Sequence, residues 1–164
     1  MNSIKAILDK SDYEIYDDFL NFQIDGYWLD EKLDELYPDG MHKGLVPTLV
    51  ESLYREDERE VVWKRIIPKE NETTHCPILM CPDDNDFGCT LVIAEVVNYG
   101  DFIKWKKIGM NLTNEWEAEK VGSKVEWFDK IGELKFEISD YKKMLNDFKE
   151  RMELDKLENR NASA

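Results

Sequence analysis

An almost unbroken apolar run over residues 90–97, rich in β-branched side chains, constrains the fold more than any other segment of the chain. Its length suits a strand rather than a buried helix, and its lack of alternation predicts a strand covered on both faces. Residues 98–101 follow, with the asparagine and glycine that a tight reversal favours. Residues 102–108 then alternate apolar side chains with lysines, which indicates one buried and one solvent-facing side. The sequence therefore predicts a β-hairpin, with its first strand central in a sheet and its second strand nearer an edge.

A C-terminal helix is the second strong prediction. Ser139 or Asp140 is a suitable N-cap, and the apolar side chains that follow recur at the spacing of one helix face. Those side chains are Tyr141, Met144, Leu145, Phe148 and Met152. The pattern fades after residue 153, so we expect a helix over 139–157 and fraying over 158–164. These patterns predict an α+β fold, a single domain over 1–164 with a mainly antiparallel sheet centred on the 90–109 hairpin and flanking helices.

Shorter patterns suggest the elements of the first 54 residues. Residues 3–10 place three apolar side chains on one helical face, which predicts a short helix. Residues 13–24 alternate imperfectly and fit either one bulged strand or two short strands. A helix is predicted over 28–37, because its leucines lie on one side and its acids on the other. Residues 44–54 stay ambiguous, since their spacing is helical but Pro47 suits only a first helical turn.

The middle of the chain reads as strands joined by polar segments. Residues 55–60 are interpreted as a charged connection, and residues 61–67 as a strand. The apolar segment 75–81 lies between prolines and predicts an edge strand, because proline removes a ladder donor. Residues 111–124 are polar and irregular, with Trp116 as their one large anchor.

Composition indicates a folded protein from a reducing compartment. Hydrophobic residues make up 42% and aromatic residues 12% of the 164, which is enough apolar material for one core. The three cysteines are an odd number, which argues against a disulfide framework. The N-terminal segment lacks the apolar stretch of a signal peptide or a membrane span. We therefore expect a cytoplasmic protein with reduced thiols.

His75, Cys76, Cys81 and Cys89 form the one cluster in the sequence with the residue types of a metal site. Structural zinc sites favour two close cysteine pairs, or a cysteine pair followed by a histidine pair, and these spacings differ. His75 and Cys76 would also point to opposite sides of a strand. We predict cysteines that are buried for structural reasons, and neither a metal nor another cofactor. A metal-binding protein or an enzyme built on residues 75–89 is kept as the alternative.

The acidic segment after Cys81 carries part of a calcium-loop pattern. An EF-hand loop that begins at Asp83 has glycine at its sixth position, which Gly88 supplies. It also needs an oxygen ligand at its fifth position and glutamate at its twelfth, where this chain has Phe87 and Ala94. A turn capped by its own aspartate and asparagine side chains is therefore the better prediction.

The motifs of the common catalytic classes are missing from the sequence. It contains no Gly-x-Ser-x-Gly, no His-Glu-x-x-His, no phosphate-binding glycine loop and no dinucleotide fingerprint. Nucleophilic catalysis needs a base beside the nucleophile, and the only histidines are His42 and His75. The 36 acids guarantee chance carboxylate pairs, so such a pair is no sign of glycoside hydrolysis. We expect a protein that is not an enzyme.

Negative charge is concentrated near the N-terminus. The net charge is −14; residues 1–60 carry 16 acids and 6 bases, whereas residues 61–164 carry 20 acids and 16 bases. Such a field repels nucleic acid and anionic membranes, and it speeds association with a basic protein. The simpler interpretation is a solvated face. The functional interpretation is a docking surface, with one part in residues 17–35, including the outer face of the predicted helix 28–37, and another in the acidic loop. Its predicted residues are Asp17, Asp18, Asp25, Asp30, Glu31, Asp34, Glu35, Asp83, Asp84 and Asp86.

Several motifs in the second half of the chain resemble a known family. They are Cys76–Asp84, Thr90–Val96, Trp105 with Ile108-Gly109, and Glu126–Asp129 ahead of the helix with Tyr141 and Phe148. Over residues 76–150 the pattern resembles small acidic immunity proteins encoded beside bacterial polymorphic toxins, of the contact-dependent or wall-associated kind. The resemblance implies a non-enzymatic inhibitor that binds the C-terminal toxin domain, often a basic nuclease, and occludes its active site.

Charge and resemblance together give one functional expectation. We expect an immunity protein that binds and neutralises a cognate, basic toxin domain of the nuclease type. The alternatives left open are the metal-binding protein or enzyme based on residues 75–89, and an acidic adaptor for some other protein partner.

Overall fold

The protein has an α+β fold, as predicted, with two antiparallel sheets and helices that pack on them. The computed structural model describes residues 1–9 and 18–163, with side chains up to residue 160. In chain order the elements are β1 (Ile4–Asp9), β2 (Phe19–Ile24), β3 (Tyr27–Trp28), α1 (Leu29–Leu36), β4 (Val46–Pro47), α2 (Glu56–Arg65), β5 (Thr73–Met80), β6 (Leu91–Asn98), β7 (Phe102–Asn111), β8 (Val125–Trp127), β9 (Leu134–Glu137) and α3 (Ile138–Ser163).

The hairpin of β6 and β7 lies at the centre of the larger sheet, whose order is β4-β5-β6-β7-β8. β6 pairs with β5 on one side and with β7 on the other, and nearly all of its side chains are buried. The other edge of β7 is shared, since residues 102–105 pair with β9 and residues 109–111 pair with β8. The predicted hairpin is confirmed: β6 is covered on both faces, and β7 lies one strand from the edge.

Two local features shape this hairpin. At the turn, the backbone N–H of Gly100 donates a 2.8 Å hydrogen bond to the side-chain oxygen of Asn98, and Gly100 has a φ of 92°. A register shift beside Glu95 then interrupts the pairing of β6 with β7. Because of this bulge, Lys106 and Lys107 are both exposed, so the predicted alternation breaks between them.

Trp105 lies at the centre of the core that joins the two sheets and the helices. Its indole Nε1–H donates a hydrogen bond of 3.1 Å to the phenolic oxygen of Tyr141 on α3. Tyr141 in turn donates to the carbonyl oxygen of Ile66, just after α2. Phe22 of β2 meets the Trp105 ring edge-on, with a centroid distance of 5.7 Å. The smaller sheet, β1-β2-β3, is thereby joined to the larger sheet through buried aromatic contacts whose polar atoms are satisfied.

The C-terminal helix α3 buries the predicted apolar stripe. All five stripe residues, Tyr141, Met144, Leu145, Phe148 and Met152, are buried. The helix packs on β1, β7 and β9, and it continues to Ser163, beyond the predicted end at residue 157. None of the helices in the described part of the chain combines the length and the apolar composition that a membrane crossing requires.

The predicted elements before residue 54 have mixed outcomes. The helix predicted over 28–37 is confirmed as α1. The helix predicted over 3–10 is wrong: residues 4–9 form β1, because pairing with β2 along its whole length outweighs a weak local pattern. Residues 44–54 form turns around the two-residue β4 rather than a helix. Of the 13–24 segment, residues 19–24 form β2, and residues 13–17 lie outside the described part of the chain.

The helix α2 corrects two predictions at once. The predicted charged connection 55–60 and the predicted strand 61–67 are largely parts of one helix, residues 56–65. The run of β-branched residues suggested a strand, but in the helix it places buried side chains on one face. The strand predicted over 75–81 is confirmed as β5. Its predicted edge position holds only in part, because β4 lies outside it and pairs with it at two residues; among the described residues, the rest of that side of β5 has no strand partner.

Candidate protein-binding pocket

A cavity of about 360 Å³ opens where α2, the loop between β5 and β6, and the segment after β7 meet. These three walls come from parts of the chain that are far apart in sequence, so tertiary structure creates the cavity. Its lining residues are the N-cap Arg55 and Glu58 of α2, Asp86, Phe87 and Gly88 of the loop, Asn111 at the end of β7, and Thr113, Asn114, Glu115, Trp116, Glu117, Ala118 and Val121 after it. We call it the acidic pocket.

Glu58 is the buried carboxylate of the acidic pocket, with 4% of its surface exposed. Its Oε2 accepts a 3.2 Å hydrogen bond from the backbone N–H of Phe87, and the guanidinium of Arg55 lies 3.9 Å away. Its Oε1 is buried without a hydrogen-bond partner among residues 1–9 and 18–163. Burial raises the pKa of the Glu58 carboxyl, the Phe87 N–H and Arg55 oppose that rise, and Asp86 adds to it. An unsatisfied buried oxygen is costly, so Glu58 is a candidate for binding a hydrogen-bond donor.

Trp116 lies at the mouth of the acidic pocket with 96% of its surface exposed. The prediction that it anchors its segment by burial is therefore wrong. Tryptophan is enriched among the residues that dominate protein–protein binding energy, so a fully exposed tryptophan is a candidate binding residue. Its neighbours Glu115 and Glu117 form ion pairs of 3.7 and 3.4 Å with Lys120 at the surface.

Arg65, at the end of α2, holds the segment that carries Trp116 against the sheet. Its guanidinium donates hydrogen bonds to the carbonyl oxygens of His75 at 3.1 Å, Val121 at 2.7 Å and Glu119. Gly122 follows with a φ of 78°, and a Cβ on it would lie 3.0 Å from the Cβ of His75. The segment therefore rests directly on β5, and one wall of the acidic pocket has a defined position.

Carboxylates outnumber cations around the acidic pocket. Glu58, Asp86, Glu115 and Glu117 line it, and Arg55 is the one cation among its lining residues. Arg55 is also paired at 3.0 Å with Asp57, outside the lining. A negative cavity with an exposed indole at its mouth suits a guanidinium or ammonium group, because such groups bind carboxylates and also stack on aromatic faces.

The acids predicted to form the N-terminal part of the docking surface lie in different environments. The exposed or half-exposed members are Asp18, Asp25, Glu31, Asp34 and Glu35. Asp25 accepts hydrogen bonds from the Asn2 side chain at 2.6 Å and the Ser3 N–H at 2.8 Å, so it also holds the N-terminus in place. Asp17 lies outside the described residues.

Asp30 contradicts its predicted position on the outer face of the helix, because only 7% of its surface is exposed. Its carboxylate accepts hydrogen bonds from the Gly44 N–H at 3.0 Å and from the Asn21 side chain at 3.5 Å. Burial raises the pKa of Asp30, and these hydrogen bonds oppose that rise. Asp30 therefore joins α1 to β2 and to the segment before β4, and it presents little charge to a partner.

The three predicted acids of the β5–β6 loop separate into two groups. Asp86 lines the acidic pocket, and its Oδ1 accepts a 2.8 Å hydrogen bond from the Gly88 N–H. That bond confirms the predicted turn capped by its own side chain. Asp83 and Asp84 are exposed and lie next to Cys81.

His75 does not join the cysteines. Its Nε2 lies 3.1 Å from Oε1 of Glu95, and its Nδ1 lies 2.8 Å from the carbonyl oxygen of Gly122. Trp127 meets the imidazole edge-on at 5.2 Å. Both ring nitrogens thus face acceptors across β5, β6 and the segment after β7, which is a structural role and leaves neither nitrogen for a metal.

The predicted burial of the cysteines holds for Cys76 alone. Cys76 is fully buried, its thiol lies 3.6 Å from the carbonyl oxygen of Val62, and burial raises its pKa. Cys81 is half-buried and Cys89 is exposed. Among the described residues, the group with potential metal-ligand atoms close together is Cys81, Asp84 and Cys89.

The sequence contained a signal for the burial of Glu58. We missed it because residues 55–60 were interpreted as a charged connection. Glu58, Val61, Val62, Arg65 and Ile66 follow the i, i+3, i+4, i+7, i+8 spacing of one helix face. A carboxylate and a guanidinium at the two ends of an apolar stripe are candidates for special roles. Trp116 had no such signal, because a lone tryptophan in a polar segment fits a buried anchor as well as an exposed one.

The acidic pocket thus combines a buried carboxylate, a surrounding excess of acids and an exposed tryptophan. Comparison of the chain with protein-family models, curated proteins and solved structures finds no match. Pocket geometry and charge are therefore the basis for assigning a function.

Proposed function

We propose that this protein binds a basic protein partner and neutralises it, as an immunity protein does with its toxin, and that the acidic pocket is the anchor of the complex. The supporting observation is the Glu58 carboxylate, 4% exposed, whose Oε1 lacks a partner among the described residues. A buried acceptor without a donor is costly in the free protein and becomes favourable once a cation reaches it.

The occupant that suits the acidic pocket best is an arginine side chain. A guanidinium donates several hydrogen bonds in a planar fork while its face stacks on an aromatic ring. Glu58 would accept at the base of the pocket and Trp116 would cover the stem at its mouth. The volume of about 360 Å³ lies at the small end of the range for ligand pockets, which suits one inserted side chain.

Long-range charge complements this anchor. The net charge of −14 attracts a basic partner from a distance, and exposed acids such as Glu31 and Glu35 on α1 contribute to that field. Such attraction raises association rates by roughly 10- to 1000-fold, whereas buried pairs mainly set the dissociation rate. We therefore propose that the exposed acids speed association with the partner, and that Glu58 and Trp116 slow its dissociation.

Binding to a toxin domain encoded next to the gene of this protein tests the proposal. We expect co-expression of this protein to rescue cells from that domain, and the purified pair to form a complex that weakens as salt rises. Trp116→Ala and Glu58→Gln should each weaken the complex on the order of 10- to 100-fold, mainly through faster dissociation. Absence of both rescue and complex formation with an active toxin domain would overturn the proposal.

Two matched variants separate the anchor from the general charge. Glu56→Gln removes the same charge from the same helical turn, but Glu56 is exposed and lies outside the lining of the acidic pocket. It should leave the dissociation rate unchanged. Charge reversal of Glu31 and Glu35 should lower the association rate alone. Equal weakening by Glu56→Gln and Glu58→Gln would show that the acidic pocket is not the anchor.

A further inference from the structure

Two thiols and a carboxylate converge at the base of the β5–β6 loop. The sulfur atoms of Cys81 and Cys89 and a carboxylate oxygen of Asp84 all lie within 4.8 Å of one another. The pairing of Met80 with Leu91 closes the loop, so the sheet holds both of its ends. The approach of the two cysteines therefore follows from the hairpin register and does not depend on a chance conformation of long side chains.

The loop between the two cysteines also turns tightly. The backbone N–H of Asn85 donates a 3.2 Å hydrogen bond to the carbonyl oxygen of Cys81. Asn85 has a φ of 53°, and this left-handed residue turns the chain back toward Cys89. A cation between the two sulfur atoms would replace the unfavourable approach of two thiolates with attraction.

We propose that Cys81, Asp84 and Cys89 bind one thiophilic divalent cation of the zinc class, with a fourth position open to water or to another ligand. Zinc takes cysteine and carboxylate ligands, and three protein ligands with one open position are a known arrangement. Tetrahedral geometry with zinc–sulfur bonds of about 2.3 Å places two thiolates about 3.8 Å apart, which agrees with ligand atoms that lie within 4.8 Å of one another. Thiolate ligands favour zinc over calcium or magnesium.

Solvent access favours the same assignment. Asp84 and Cys89 are exposed and Cys81 is half-buried, so a cation can reach all three ligand atoms from solvent. His75 and Cys76 take no part, because the imidazole is engaged with Glu95 and the Cys76 thiol lies in the core. The proposal does not rest on the function assigned to the acidic pocket.

Titration of the reduced full-length protein with Co²⁺ tests the site. We expect one Co²⁺ per chain, with the near-ultraviolet absorption of sulfur-to-metal charge transfer and visible bands of a four-coordinate ion, and displacement by Zn²⁺ but not by Ca²⁺. Cys81→Ser and Cys89→Ser should each abolish the charge-transfer signal at stoichiometric metal. Asp84→Asn should weaken binding by more than the roughly 10-fold that a hydrogen-bond partner of a metal ligand contributes.

Two controls keep the outcome decisive. Asp101→Asn changes an exposed acid at the β6–β7 turn and should leave Co²⁺ affinity within about twofold, because Asp101 is not among the three converging residues. Cys76→Ala removes the third thiol and should leave the absorption bands intact. Circular dichroism before each titration verifies the fold. Failure of the reduced, folded protein to bind Co²⁺ or Zn²⁺, or binding that survives Cys89→Ser, would overturn the proposal.

Discussion

The backbone N–H of Phe87 donates a 3.2 Å hydrogen bond to Oε2 of Glu58, and this bond joins the β5–β6 loop to the first turn of α2. The same carboxylate leaves its other oxygen buried and without a partner in the described part of the chain. One oxygen of the carboxylate therefore positions the wall of the acidic pocket, and the other is the acceptor that we propose a partner's cation satisfies. Binding sites commonly retain such locally unfavourable groups at a cost in stability.

We expect Glu58→Gln to stabilise the free protein at neutral pH by about 1 kcal/mol, because a neutral amide is less costly to bury. Burial raises the pKa of the Glu58 carboxyl, so the folded state holds this proton to a higher pH than the unfolded state does. The associated stability is present at acid pH and is lost as pH rises through the raised pKa. Urea unfolding at several pH values should show the advantage of the variant growing toward neutrality. A variant that is less stable than the native protein at neutral pH would contradict this.

Arg65→Gln should loosen the segment that carries Trp116. The change removes three charge-assisted hydrogen bonds to carbonyl oxygens, so we expect a loss of about 1–3 kcal/mol in the free energy of unfolding. Hydrogen exchange should accelerate over residues 117–124 more than in β6. Lys64→Gln is the matched control, because it removes the same charge from an exposed neighbour on α2 and should cost less than about 0.5 kcal/mol. Equal effects of the two variants would argue against a role of Arg65 in holding this segment in place.

His42 should make the protein less stable in mild acid. It is 3% exposed, and burial lowers its pKa, although Asp34 and the Leu33 backbone oppose that shift. The unfolded state therefore takes up the proton first, and the stability that the neutral ring contributes is lost as pH falls below the ordinary value of about 6.5. Chemical unfolding at stepped pH should show this loss in the native protein and not in His42→Gln. His75→Gln is the control, and removal of the slope by that variant alone would show that the source is not His42.

Gly109→Ala should disrupt the pairing of β7 with β8. A Cβ at this position would lie 2.4 Å from the backbone carbonyl oxygen of Glu126, and backbone moves less readily than a side chain. We expect a loss of about 1–3 kcal/mol in thermal or urea unfolding. Gly132→Ala is the matched control, because nothing lies within 4 Å of the corresponding Cβ, and it should change stability by less than about 0.5 kcal/mol. If Gly109→Ala left the free energy of unfolding unchanged, β7 and β8 would be able to separate without cost, and the prediction would be wrong.

The sequence predicted elements well where one segment carried a complete pattern. The β6–β7 hairpin and the stripe of α3 each show their period within a single run, and the structure confirms both. Residues 56–65 show the limit of this approach. Val61, Val62 and Ile66 are consistent with a strand by composition and with a helix by spacing, and burial against the sheet decides for the helix.

The candidate site was less accessible to prediction than the fold. Counting acids along the chain could not separate buried Asp30 from exposed Glu31, which is its neighbour in sequence. Local spacing also grouped His75 with three cysteines, whereas the structure directs the imidazole to Glu95. In both cases the side chain's partners come from distant segments, so no window of sequence contains the information.

The sequence by itself determined an α+β chain with a central hairpin, a C-terminal amphipathic helix and a strongly negative charge, because periodicity and composition are local properties. Only the tertiary structure decided that Glu58 is buried, that Trp116 is exposed beside it, and that Cys81 and Cys89 meet. Burial and proximity depend on which distant segments pack together, and that outcome is a balance of many weak contacts across the whole chain.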